Sequence, residues 1–200
     1  MLAGGIAYWA GRIQAKATRR AADMQIAAER ERHDREIETV RRSLAVELRQ
    51  IIARAYGAHT SLARLIAPGR GQITARMVES SAGVPLPVVY PAVADRIALL
   101  DHEATDTLIV YELVEVARDG AERLIRYRTP DDIPTRVVGA VTEAFLQACL
   151  YARSLLPRLK TGMADRDAID DEMIKRIDAA ADVWKELKDK SLWPHDPGDP

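Results

Sequence analysis

The sequence has little of several residue types, and each shortage argues against a class of protein. Of its 200 residues only 5% are aromatic, and Cys149 is the single cysteine. One cysteine cannot form an internal disulfide, and it cannot supply the several thiolates of the common structural zinc sites. Cys149 lies in the apolar run 144–152. We therefore interpret it as a small buried hydrophobic residue.

The sequence also lacks an excess of charge of one sign. It has 29 basic and 30 acidic residues, for a net charge of −1. Proteins that bind nucleic acid by neutralising phosphates normally carry a basic excess. The balance therefore argues against a nucleic-acid-binding protein.

Recognisable catalytic patterns are missing as well. The four histidines are scattered, and neither a Glu-x-x-His pair nor a His-Glu-x-x-His motif occurs. His102 and Asp106 stand four residues apart, but the same acidic stretch is equally the first turn of a helix. The segment 69–72 has two glycines without the lysine and Ser/Thr of a phosphate loop. We predict a protein that is not an enzyme and holds no cofactor or metal.

What the sequence does contain favours helices. Hydrophobic residues make up 48% and charged residues 30%, and most of the apolar residues recur at helical spacing. Unbranched side chains lose little rotamer freedom in a helix. The composition and the spacing together predict an all-α fold.

A long N-terminal helix is the clearest element. From Ala15 to Ile66 there is no proline, and Gly57 is the only glycine. Residues 29–36 are charged on every face, which predicts a solvent-exposed, coiled-coil-like rod. An apolar seam with near-heptad spacing then begins, and we expect its members Leu48, Ile51, Leu62 and Leu65 to be buried against the later helices. Its members are Ile37, Val40, Leu44, Leu48, Ile51, Ala55, Ala58, Leu62 and Leu65.

Three further helices follow a proline-rich connection. The prolines within 83–91 exclude a regular helix there. Asp101 is a suitable N-cap, Pro134 marks the next start, and a last helix runs from about Asp165 to Lys190. These helices and the end of the long helix predict an antiparallel bundle of about four helices.

The N-terminus predicts contact with a membrane. The uncharged run 2–11 contains Tyr8 and Trp9, and four basic residues follow it: Arg12, Lys16, Arg19 and Arg20. Aromatic residues beside a basic cluster are typical of the cytoplasmic end of a membrane helix. Ten residues of helix cover only about 15 Å of an approximately 30 Å bilayer core, so we interpret the run as the last half of an anchor. The alternative is an Ala/Gly-rich helix start packed on protein.

These features divide the chain into four regions. They are a truncated membrane anchor with its basic flank (1–20), a charged helical rod (21–43), a helical bundle (44–190) and a disordered tail (191–200).

One segment resembles a known group of proteins. Residues 88–101, Val-Val-Tyr-Pro-Ala-Val-Ala-Asp-Arg-Ile-Ala-Leu-Leu-Asp, precede Leu108-Ile-Val-Tyr-Glu-Leu113. This pattern is similar to one in small helical bacterial proteins that have no assigned activity. The resemblance implies a single N-terminal membrane helix and a charged coiled-coil stretch.

The sequence therefore predicts a non-catalytic structural or protein-interaction protein, tethered to the inner membrane with its bundle in the cytoplasm. The alternative is a soluble helical regulator that binds a small ligand or a protein beside Tyr111, Tyr151 and Trp184. We expect the stretch 37–44 to lack cover in a monomer and to support at most a weak homodimer, parallel where two copies share a membrane. Arg30 and His33 occupy seam positions upstream and oppose a tight pair.

Overall fold

The regular secondary structure of the described residues is entirely helical. A computed structural model describes residues 3–67, 71–100, 102–126, 133–159 and 164–189, with side chains from Arg12 to Leu159 within those ranges and over 171–187. These ranges contain six α-helices, one 3-10 helix and no strand. The α-helices are α1 (Ala3–Leu65), α2 (Ala75–Ser81), α3 (Val89–Val93), α4 (His102–Ile125), α5 (Thr135–Leu155) and α6 (Ala164–Asp189); the 3-10 helix is Ala94–Leu100. The all-α prediction is confirmed.

The chain divides into two compact units, residues 1–40 and residues 41–200. The sequence prediction placed the corresponding boundary between residues 43 and 44. Helix α1 contributes residues to both units.

In the first unit α1 is exposed over a long stretch. Every side chain from Arg12 to Arg35 is exposed. Local contacts four residues apart support the helix, among them the Glu31–Arg35 ion pair and the bond from Gln25 Nε2 to Glu29 Oε1 at 3.2 Å. Such pairs contribute about 0.2–0.5 kcal/mol each to an isolated helix.

In the second unit α1 becomes a core helix. The predicted core residues Leu48, Ile51 and Leu62 are 0–2% exposed. Leu65 is only half-buried. The prediction that it belongs to the core is wrong because it is the last residue of α1, where the packed face ends. The buried residues of α1 after position 40 are mostly apolar: Leu44, Ala45, Leu48, Ile51, Ile52, Ala55, Ala58 and Leu62, with Glu47 and His59 among them.

The expectation that residues 37–44 lack cover is also wrong. Val40 is 3% exposed and Leu44 is fully buried. In the second unit, Arg41 Nη2 lies 3.5 Å from the Glu103 carboxylate of α4. The uncovered part of α1 therefore ends before Val40.

Helices α4 and α5 approach each other closely. A Cβ added to Gly120 on α4 would lie 3.0 Å from Val141 Cγ2 on α5. Small or compact residues also line the buried face of α5, including Gly139, Ala148 and Cys149. Small side chains allow two helix backbones to come together while the larger neighbours fill the space around them.

Proline sets several of the helix limits. Helix α5 begins directly after Pro134 and ends two residues before Pro157. Of the stretch 83–91, which was predicted not to be a regular helix, residues 83–88 are not helical, but α3 begins at Val89. Proline is tolerated in a first turn because its missing N–H has no helical acceptor there, and Pro91 is the third residue of α3. The proposed cap Asp101 and the tail 191–200 lie outside the described residues.

Candidate functional site

The predicted membrane-contact residues form an exposed basic segment on α1. Arg12, Lys16, Arg19 and Arg20 are all exposed, and no acidic residue occurs among them. Of Tyr8 and Trp9 the structure describes the helical backbone alone, so their side chains lie outside the described residues. Four positive charges within about three helical turns can attract an anionic surface, at about 1 kcal/mol per residue near a membrane.

Within the described ranges, none of the helices combines the length and the apolar character that crossing a bilayer requires.

A second cluster, which sequence reasoning missed, is built around a buried carboxylate. Glu47 on α1 is 8% exposed. Its Oε1 accepts hydrogen bonds from the backbone N–H groups of Val88 and Val89, at 2.5 Å each. Its Oε2 accepts bonds from the Tyr90 N–H at 2.9 Å and from the Tyr111 hydroxyl at 2.6 Å. We call these five residues the Glu47 clamp.

The chemistry of the Glu47 clamp explains its charge state. Burial by itself would raise the pKa of Glu47, but the Tyr111 hydroxyl and three backbone N–H groups stabilise the carboxylate and together lower the pKa. Burial, reinforced by the neighbouring carboxylate, raises the pKa of Tyr111. The Tyr90 and Tyr111 rings stack with centroids 4.1 Å apart. The phenol is therefore a permanent donor and the carboxylate a permanent acceptor at neutral pH.

The clamp fixes the connection that enters α3. Its three N–H donors are consecutive at the start of α3, where backbone N–H groups have no helical acceptor. At the other end of the connection, Arg118 Nε on α4 donates to the Val84 carbonyl at 3.1 Å. Each carboxylate oxygen of Glu47 accepts two hydrogen bonds from the protein itself. This arrangement is suited to holding residues 88–90 in place rather than to transferring a proton.

A buried histidine joins three helices. His59 on α1 is 3% exposed, and its Nδ1 lies 3.0 Å from the Thr142 carbonyl on α5, to which Nδ1–H donates. The Trp184 ring of α6 meets the imidazole edge-on, with centroids 5.3 Å apart. Burial lowers the pKa of His59 more than the bond to Thr142 raises it. Folding therefore favours the neutral imidazole over the charged form.

The remaining candidate groups have structural explanations. Cys149 is fully buried, as predicted, and burial raises the pKa of its thiol to about 12. His102 is exposed, whereas Asp106 forms an ion pair with Arg158. Among the described residues, no group of three His, Cys, Asp or Glu side chains is placed to hold a metal ion.

The three aromatic residues of the predicted ligand pocket have different surroundings. Tyr111 belongs to the Glu47 clamp, Trp184 packs on His59, and Tyr151 is 48% exposed. An open cavity of about 220 Å³ lies elsewhere, between α2 and α4. It is lined by Glu79, Ala82, Gly83, Val84, Arg118, Ala121, Glu122 and Ile125.

Comparisons with protein-family models, with characterised proteins and with solved structures give no match for this chain.

Proposed function

We propose that the protein is a non-catalytic, membrane-tethered structural or protein-interaction protein. In this proposal the first part of α1 is a coiled-coil-like spacer, and α1 from Arg41 onward forms an antiparallel bundle with α4, α5 and α6. The observation that carries it is the exposure of every side chain over 12–35, about 36 Å of helix, in a chain whose later residues build a core. A helix that buries nothing contributes to function through length or through partners.

The tether is proposed at the N-terminal end of α1. Support comes from the exposed basic segment Arg12–Arg20 and from the apolar run 2–11 that precedes it. Basic residues flank membrane segments on the cytoplasmic side. The proposed location is therefore the inner membrane with the bundle in the cytoplasm.

A non-catalytic role accounts for the buried polar groups. The Glu47 carboxylate is saturated by four donors, and His59 is occupied by the Thr142 carbonyl and the Trp184 ring. A general acid or base needs a proton within reach of a substrate. Both groups instead join segments that are distant in sequence.

The alternative function, a soluble helical regulator, is supported by a different feature. The open cavity between α2 and α4 is large enough for a small ligand, and Arg118 lines it beside Glu79 and Glu122. In this version the ligand would bind between α2 and α4 rather than beside Tyr111, Tyr151 and Trp184.

Vesicle binding by the full chain tests the tether. We expect co-sedimentation with vesicles that contain anionic phospholipid and little with neutral vesicles. The variant Lys16→Glu/Arg19→Glu should bind at least about tenfold more weakly, because two attractive charges become repulsive. The matched control Arg30→Glu/Arg32→Glu reverses two equally exposed charges on the same helix and should bind like the parent.

Equal loss in the two variants would show a general charge effect and would contradict a tether at the basic segment. In cells, recovery of the full chain wholly in the soluble fraction, unchanged when residues 1–20 are deleted, would favour the soluble alternative.

A further inference from the structure

An apolar stripe runs along the exposed part of α1. Its members are spaced by four, four, three and four residues and fall within an arc of about 80° on a helical projection. They are Ile13, Ala17, Ala21, Met24 and Ala28. All are exposed, with Ile13 at 65% and Met24 at 68%. Two large side chains separated by alanines allow a second helix to approach closely and to receive them between its own residues.

The charges beside the stripe indicate what covers it. Residues 12–20 carry four positive charges and no negative one, whereas residues 21–38 carry six acidic and three basic residues. A second copy in parallel orientation would place the two basic segments side by side. An antiparallel copy places each basic segment against the acidic half of its neighbour, which is the favourable arrangement.

We propose that residues 12–31 of α1 form a docking surface for a second copy of this chain, packed antiparallel along the stripe. In this register Ile13 faces Ala28 of the partner copy and Ala17 faces Met24 of the partner copy. The two-fold axis passes near Ala21. On the flank Arg20 lies two positions, about 3 Å along the helix axis, from the level of Asp23 of the partner copy. The long arginine side chain can reach this carboxylate, and the symmetry makes the ion pair twice.

The length of the stripe sets the strength of the pair. Sixteen residues of helix extend over about 24 Å, which is short for a stable protein interface. The pair is therefore weak and forms at high local concentration.

The pairing goes beyond the proposed function and does not rest on it, since an antiparallel pair needs no membrane. It does engage the same basic segment as the proposed tether. It also places the two N-termini at opposite ends. Anionic vesicles that bind the basic segment should therefore dissociate the pair, but the association itself is measured without lipid.

Sedimentation equilibrium of the full chain across concentration tests the surface. Ala17→Glu places a charge on the stripe, and the matched control Ala15→Glu makes the same change about 160° away on the same exposed turn. We expect Ala17→Glu to weaken dimerisation about tenfold or more and Ala15→Glu to leave it unchanged. A monomer at every concentration, or equal effects of the two variants, would overturn the proposal.

Cysteine cross-linking tests the orientation. The native Cys149 is buried, so it does not compete. A mixture of Ile13→Cys chains and Ala28→Cys chains should form the mixed disulfide on mild oxidation, while Ile13→Cys chains alone should not link. Efficient linkage of Ile13→Cys to itself would show a parallel pair and refute the register.

A charge exchange tests the ion pair. Asp23→Arg brings a second arginine within reach of Arg20 and should weaken dimerisation. Adding Arg20→Asp to the same chain restores opposite charges and should restore dimerisation. Failure of the double variant to recover would exclude the Arg20–Asp23 contact.

Discussion

Two stretches of the same helix differ in what stabilises them. Over 12–35 all side chains of α1 are exposed, and the helix depends on its propensity and on local pairs such as Glu31–Arg35. Over 44–62 the helix has a buried face that includes Leu48 and Ile51. Burying a large aliphatic side chain contributes about 1.5–3 kcal/mol, several times more than an exposed ion pair. Both stretches are helical, but local interactions stabilise the first and burial of an apolar face stabilises the second.

The sharpest test of this comparison is truncation on each stretch. Leu48→Ala should lower the free energy of unfolding by about 2–5 kcal/mol, because it leaves a cavity in a core where Leu48 is fully buried. Arg32→Ala on the exposed stretch should cost less than about 0.5 kcal/mol. Urea denaturation followed by circular dichroism measures both. Equal losses would show that the core has been assigned to the wrong part of α1.

The Glu47 clamp should give the next largest effect. Glu47→Ala removes the acceptor of four donors and should lower stability by about 2–3 kcal/mol. Glu38→Ala, on the same helix but half-exposed, is the comparison variant. A Glu47 loss no greater than that of Glu38 would mean that the clamp is not formed in solution.

The clamp also predicts acid sensitivity. Because the folded-state pKa of Glu47 lies below its ordinary value of 4.5, the stabilisation is fully present above pH 4.5 and is lost as the pH falls through the folded-state pKa. The difference in stability between the parent and Glu47→Gln should therefore shrink below pH 4.5. A constant difference between pH 7 and pH 3 would contradict a lowered pKa.

The two histidines of α1 give a smaller, pH-dependent contrast. His59 is buried and its folded-state pKa is lowered from 6.5, so the stability it supports is present above pH 6.5 and decreases as the pH falls toward the folded-state pKa. In the variant His59→Gln, the free energy of unfolding should therefore fall less steeply as the pH decreases below 6.5. His33 is exposed on the first stretch, and the surface change His33→Gln should alter the free energy of unfolding by less than about 0.5 kcal/mol.

The smallest contrast concerns two helical glycines. A Cβ at Gly57 meets nothing within 4 Å, so Gly57→Ala should raise stability by about 0.5–1 kcal/mol through helix propensity. A Cβ at Gly120 would lie 3.0 Å from Val141 Cγ2, so Gly120→Ala should lose that gain as Val141 shifts. The midpoints of thermal unfolding of the two variants measure this difference. Equal stabilisation by both changes would show that α4 and α5 are packed less tightly than the 3.0 Å approach to Val141 indicates.

Local patterns in the sequence predicted much of the helical layout. The proline-free stretch from Ala15 to Ile66 lies within α1 except for Ile66, its last residue, and Pro134 directly precedes the first residue of α5. The seam Leu44–Leu62 was identified as a core face because its period matches the helix. These predictions succeeded because propensity, proline geometry and periodicity act between neighbours in the chain.

The Glu47 clamp could not be read in the same way. Its contacts join residues 41 to 64 positions apart, and Glu47 is one more glutamate on a helix that has several. The one available signal was a carboxylate next to the core positions Ala45 and Leu48, where charge is costly unless it is paired. The burial of Leu44 in a stretch expected to lack cover was missed for the same reason, since it depends on which residues lie near α1 in space.

By itself, the sequence determined that the chain is helical, that α1 is long, and which face of its second stretch is apolar. The tertiary structure decided which polar groups of that helix are buried and what satisfies them. Whether Glu47 is an exposed surface charge or a buried anchor depends on three backbone N–H groups that reach it only after residues 88–90 have been brought to α1. Local periodicity contains no information about that approach, because desolvation and hydrogen bonding depend on distance in space rather than on separation in the chain.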